Sequence, residues 1–111
     1  MSGQDLVNEL SSRVSLLDSA LKQLGVRGRE YAQSEQDYRI ALAQKILIER
    51  DKGTPVTIIS DICRGDREIA KKKFERDCKE TGYKAALEAI NVYKIQIKTL
   101  ESTIDREWHS G

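Results

Sequence analysis

Proline, histidine, phenylalanine and tryptophan each occur once in the 111 residues. A single proline leaves almost nothing to interrupt helices, because its ring removes a backbone donor and clashes with the preceding turn. Aromatic residues make up only 5% of the chain, and the remaining apolar residues are mainly Leu, Ile, Val and Ala. That supply suits a narrow seam between helices better than a wide core. Neither sign of charge dominates: 19 Lys and Arg oppose 18 Asp and Glu. The main excess lies in residues 52–80, with eight basic and six acidic side chains. A strong polyanion binder carries a larger imbalance, so bulk charge argues against nucleic acid as the main partner.

Long hydrophobic runs are also missing. No stretch approaches the ~20 apolar residues of a membrane span, and the opening MSGQDLVNEL has neither the basic nor the apolar region of a secretory signal. The expectation is a cytoplasmic protein with reduced thiols and no membrane partner. Cys63 and Cys78 lie fifteen positions apart, and the one histidine, His109, is in the tail. Zinc needs three or four clustered nitrogen and sulfur ligands, which this pattern does not supply. There is no Gly-rich phosphate loop, G-x-S-x-G or H-E-x-x-H. The sequence therefore predicts no enzyme, no catalytic residue, no metal, no cofactor and no small-molecule substrate.

Charge and heptad spacing are abundant. Charged residues make up 33% of the chain. Leu10, Val14, Leu17, Leu21 and Leu24 are spaced 4, 3, 4, 3, with Val7 extending the row backwards. This is the seam of a heptad coiled coil, and Ser2 or Asp5 suits its N-cap. Gly25 and Gly28 interrupt the helical composition at about 1 kcal/mol each, yet the heptad frame continues through Tyr31 and Tyr38 to Leu42. Residues 4–51 are therefore either one long helix, kinked at 25–28, or two helices broken there. Glu35 and Lys45 fall on the strict seam, so the apolar stripe drifts as it does when helices pack outside an ideal 3.5-residue repeat.

Gly53 stops this segment, and Thr54–Pro55 reads as an N-cap followed by proline at the first helical position. A short helix over 55–64 follows, although its β-branched content also permits an extended piece, then Gly65 as a stop and Asp66 as the next cap. The tripeptide Arg64–Gly65–Asp66 matches a cell-adhesion motif, but is accounted for as a helix end and a helix start. Ala70, Phe74 and Cys78 lead into the last helix, 66–108, at i+4 spacing. That spacing places Cys78 in the core and leaves Cys63 the more exposed thiol. From Tyr83 the row Ala86, Ile90, Tyr93, Ile97, Leu100, Ile104 keeps a 3, 4 alternation over six intervals, the strongest regularity in the chain.

The predicted architecture is all-α, a single domain: a long antiparallel helical hairpin with a short helix at its corner. Leu16, Ile40, Ile48, Leu87, Val92 and Ile95 flank the seam and widen its stripe beyond two residues per heptad. Wider stripes suit three or more helices, so a homodimeric bundle of four helices is expected. The function class that follows is an interaction protein with a protein partner. Its candidate apolar contacts are Val56, Ile58 and Ile59 at the corner, with Tyr31 and Tyr38. The alternative is nucleic acid. Residues 55–64, the turn and the helix after Asp66 have the sequence shape of a helix-turn-helix, with Arg64, Arg67, Lys71, Lys72 and Lys73 as contacts.

Three pieces carry a resemblance: Tyr38–Arg39 in a charged helix, TPVTIISD followed by RGD and a basic helix, and the closing LESTIDREW. Over about residues 28–108 the chain resembles small proteins encoded by temperate phages and prophages of Gram-positive bacteria. The resemblance brings no assigned activity and no site residues. It implies a bacterial cytoplasm during infection or lysogeny. The implied roles are an accessory to phage replication or recombination, or an inhibitor that binds a host protein.

Overall fold

The computed structural model describes residues 2–109. It contains α1 (Gly3–Asp51), α2 (Val56–Gly65) and α3 (Arg67–His109), with α1 packed against α3 as an all-α hairpin. The expected element order and boundaries hold to within one residue. α1 runs unbroken through Gly25 and Gly28, so the reading with two helices broken there falls. Two compact units divide the chain. One pairs the start of α1, to Val26, with α3 from Lys84 onward, and the other comprises Arg27–Tyr83.

The ends of the helices follow from local chemistry. The Asp5 N–H donates to the Ser2 hydroxyl at 3.1 Å while the Ser2 N–H donates back to the Asp5 carboxylate at 3.2 Å. This reciprocal box satisfies donors that an α-helix start otherwise leaves bare. At the other end Thr54 N–H bonds the Glu49 carbonyl and Gly53 N–H bonds the Arg50 carbonyl, both at 3.0 Å. The pattern is a Schellman stop, and Gly53 supplies its left-handed residue at φ 81°.

Thr54 does not cap α2. Pro55 occupies the N-cap position instead, and the Thr54 hydroxyl donates to the Glu49 carboxylate at 2.7 Å. Asp66 ends α2 and starts α3: its N–H bonds the Cys63 carbonyl and its carboxylate accepts from the Ile69 N–H at 3.1 Å.

In the first unit the buried apolar residues are Leu6 and Ile90. The α3 row from Tyr83 to Ile104 is half-buried or buried throughout, as its spacing predicts. The α1 row is used only in part. Leu10, Leu17 and Leu24 are half-buried together with Arg13 and Ala20, whereas Val7, Val14 and Leu21 stay exposed at 41%, 41% and 46%.

In the second unit Ile59, Cys63 and Ile69 form the buried apolar cluster. Here the thiols depart from expectation: Cys63 is buried and Cys78 exposed. Asp66 starts α3 so that Ile69, Lys72 and Arg76 turn inward, which rotates Ala70, Phe74 and Cys78 to the outside.

The polar seam residues of the second unit are paired. Glu35 accepts from Arg76 at 3.2 Å and from Arg39 at 2.7 Å. Arg76 also stacks 4.8 Å above the Tyr38 ring. Lys45 reaches Glu49 at 3.1 Å and Asp66 at 3.6 Å, joining the end of α1 to the start of α3.

Glu49 is the buried charged residue of this corner. The Thr54 hydroxyl, then the Lys45 ammonium, hold its carboxyl below the ordinary glutamate range, against the opposing effect of desolvation. A carboxyl lowered on folding stabilises the folded state only while ionised. Its contribution is complete above the unfolded value of about 4.3 and is lost as pH falls through the lower folded value. Thermal melts of the wild type and Glu49→Gln are expected to differ at neutral pH and to converge as the pH falls and the carboxyl takes up its proton. A gap that widens in acid would reverse the sign of this linkage.

Glycine substitutions test the backbone directly. A Cβ at Gly82 meets only the Arg27 guanidinium nitrogen, at 3.5 Å, and the residue lies inside α3. Gly82→Ala is expected to stabilise by up to about 1 kcal/mol. Gly53→Ala, forced into a left-handed backbone, should destabilise by about 1–2 kcal/mol. Denaturant unfolding in which both shifted midpoints moved the same way would contradict these helix boundaries.

Candidate interaction cleft

In the second unit, three helical stripes converge on one cleft. The last turns of α1 present Tyr38, Leu42, Ile46 and Arg50 at i+4 spacing, a single ridge along the helix. α2 contributes Val56, Ile59, Ser60, Cys63 and Arg64, spaced so that they share one face. α3 contributes Ile69, Ala70, Lys73, Phe74 and Asp77 by the same spacing. The volume of this open cleft is about 760 Å³.

Buried Ile59, Cys63 and Ile69 reach this cleft from below, while Val56 and Phe74 stand at its edge, 75% and 68% exposed. Three cations line it: Arg50, Arg64 and Lys73. Arg64 has a loose 3.9 Å pairing with Asp61 in which both side chains are largely exposed, a geometry worth little in water. The one lining carboxylate, Asp77, is taken by Arg76 at 2.8 Å. The cleft therefore joins an apolar floor to a rim with excess positive charge.

The structure separates the predicted site residues. Arg64 and Lys73 lie on the cleft, Arg67 and Lys71 are exposed and do not line it, and Lys72 is half-buried on the side of Ile69 and Arg76. Successive helical residues turn by about 100°, so Lys71, Lys72 and Lys73 cannot share one face.

Among the apolar candidates, Val56, Ile59 and Tyr38 line the cleft, and Ile58 is exposed outside its lining. Tyr31 is engaged elsewhere. Its hydroxyl donates to Glu80 at 3.2 Å and its ring lies 6.0 Å from that of Tyr83. Burial, then the Glu80 hydrogen bond, push its phenol above the ordinary value.

Arg50, Phe74 and the Leu42–Ile46 ridge went unnoticed in the sequence as site residues. The i+4 run Tyr38, Leu42, Ile46, Arg50 was the available signal. It was masked by assigning that face wholly to the helix seam.

A second, smaller groove of about 500 Å³ lies in the first unit, where Leu17 of α1 faces Ile95, Ile97, Lys94 and Lys98 of α3. It adjoins the half-used heptad row of α1. Among the described residues no three His, Cys, Asp or Glu side chains come together to hold a metal ion, and no helix is long and apolar enough to cross a membrane. No protein family, curated protein or solved structure matches the chain.

Proposed function

We propose that this chain is a non-catalytic helical scaffold that forms a homodimer and acts by binding another protein. The observation that carries the reading is the apolar surface its own fold leaves uncovered. Among the described residues five hydrophobic side chains are buried, while fifteen large ones stand exposed. Scattered exposed apolar residues are ordinary, but contiguous rows mark contact surfaces.

Val7, Val14 and Leu21 form such a row and complete a heptad seam with the half-buried Leu10, Leu17 and Leu24. Valine at two of the three positions of one row, with leucine throughout the other, is close to the side-chain choice of two-stranded coiled coils. A second copy seated there covers the row and yields four helices. The cytoplasm and the phage origin implied by the resemblance belong to the same reading.

Light scattering on the purified protein tests the dimer. The expected mass is about twice 12.6 kDa, and a monomer at micromolar concentration would defeat that part. Nucleic acid is the second reading, favoured by the exposed cations Arg64, Arg67, Lys71 and Lys73. Titration with labelled DNA and RNA at two salt concentrations separates the two. Tight binding that weakens steeply with salt and is lost in Lys71/Lys72/Lys73→Glu would displace protein binding as the main activity.

A further inference from the structure

We infer that the cleft of the second unit is a docking groove for an acidic amphipathic helix of the partner protein. This deepens the protein-binding reading and rests on it. The length fits first. The ridge from Tyr38 to Arg50 covers thirteen residues, about 18 Å along α1 from first to last. A guest helix of three to four turns laid on it places apolar anchors at i, i+4 and i+7 over Leu42, Ile46 and Ile69.

The chemistry of the walls fits next. Apart from the three rim cations and the Tyr38 hydroxyl, the lining offers Ser60 and a carboxylate already held by Arg76, few groups for orienting a small neutral ligand. Aliphatic floor and exposed Phe74 and Val56 suit apolar side chains. Tyr38 is already stacked by Arg76, which leaves Phe74 as the exposed aromatic of the cleft and a poor platform for successive nucleobases.

Charge decides the kind of helix. Arg50, Arg64 and Lys73 border the apolar floor from α1, α2 and α3 respectively, so a guest meets a cation whichever way it lies. Among the described residues no ion pair is formed by Arg50 or Lys73. Glutamates or aspartates flanking the anchors complete these charges, while a lysine-flanked helix is repelled. Complementary charge of this kind fixes partner choice more than raw affinity.

The test uses the full chain and a set of labelled helical peptides about four turns long. Their anchors are Leu, Ile, Phe or Trp, flanked by glutamate, with lysine-flanked and scrambled counterparts and an oligothymidylate. Acidic peptides should bind about tenfold or more tightly than the lysine set, by a margin that shrinks as salt is raised. Phe74→Ser should weaken them by a similar factor, and Arg50→Glu/Lys73→Glu should reverse the preference toward lysine. Both variants must keep their ellipticity and mass.

Binding of acidic and lysine peptides alike at the Phe74 site would overturn the charge assignment and leave protein binding standing. Absence of binding by every peptide, or equal binding of the scrambled set, would overturn the groove itself. Oligothymidylate binding more tightly than any peptide would overturn protein binding as a whole. A change from dimer to monomer in Phe74→Ser would show that a second copy, not a partner, fills the cleft.

Discussion

Replacing Val14 and Leu21 together by glutamate is expected to convert the proposed dimer to a monomer while leaving the helices intact. Both side chains are more than two-fifths exposed within one chain. Changes at such positions usually move the stability of the protomer by no more than about 0.5 kcal/mol, and glutamate is a good helix former. In the proposed dimer the same two positions lie in the seam, so two copies would bury four carboxylates facing apolar side chains. No lysine or arginine occupies a position in the row Val7, Leu10, Val14, Leu17, Leu21, Leu24. Unpaired buried charge costs far more than a helical dimer of this size can spare.

Light scattering should fall to the mass of one chain, 12.6 kDa. The melting temperature should lose its dependence on protein concentration. Leu16→Glu is the control, since Leu16 is equally exposed but off this row. A Val14/Leu21 variant that remained dimeric would remove the heptad row from the interface. Dissociation by Leu16→Glu alone would move the interface to the other flank.

The fold was largely legible because its signals are local. Ser2, Gly53 and Asp66 mark helix ends through hydrogen bonds formed within a few residues. Heptad spacing needs nothing beyond the helix itself. What a single helix cannot specify is which side of a broad apolar stripe its neighbour takes. On α1 a row of six apolar positions was readable, yet α3 covers Leu10, Leu17 and Leu24 and packs over Arg13 and Ala20 in place of Val14 and Leu21.

The same ambiguity misplaced the thiols. Ala70, Phe74 and Cys78 make a regular i+4 row, but Asp66 caps α3 through Ile69, so Ile69, Lys72 and Arg76 face inward. Part of the cleft was legible, since Tyr38, Val56, Ile59, Arg64 and Lys73 were singled out. That they share one cleft depends on where α1 ends against α3, a long-range fact with no local marker.

Ile90→Ala should give the largest loss of stability of any conservative substitution in the first unit. Leu6 and Ile90 are the buried apolar residues of that unit, and Ile90 is the most buried position of the α3 row. Its removal forfeits transfer free energy and leaves a gap that the half-exposed neighbours Ala86 and Tyr93 do not fill, costing about 2–5 kcal/mol. Measured against a total stability of about 5–15 kcal/mol, that is a large fraction for one side chain. Leu87→Ala, three residues away and exposed, should cost well under half as much. At fixed protein concentration the melting temperature of Ile90→Ala should drop by about 10 °C or more. Fixing the concentration matters because a dimer melts higher as it is concentrated, and the loss must be read apart from that effect. Equal, small shifts for Ile90→Ala and Leu87→Ala would mean that α3 does not present the Tyr83–Ile104 row to α1. The exposed status of Val14 and Leu21 would then fall with it, because both follow from the same rotation of the two helices about their axes.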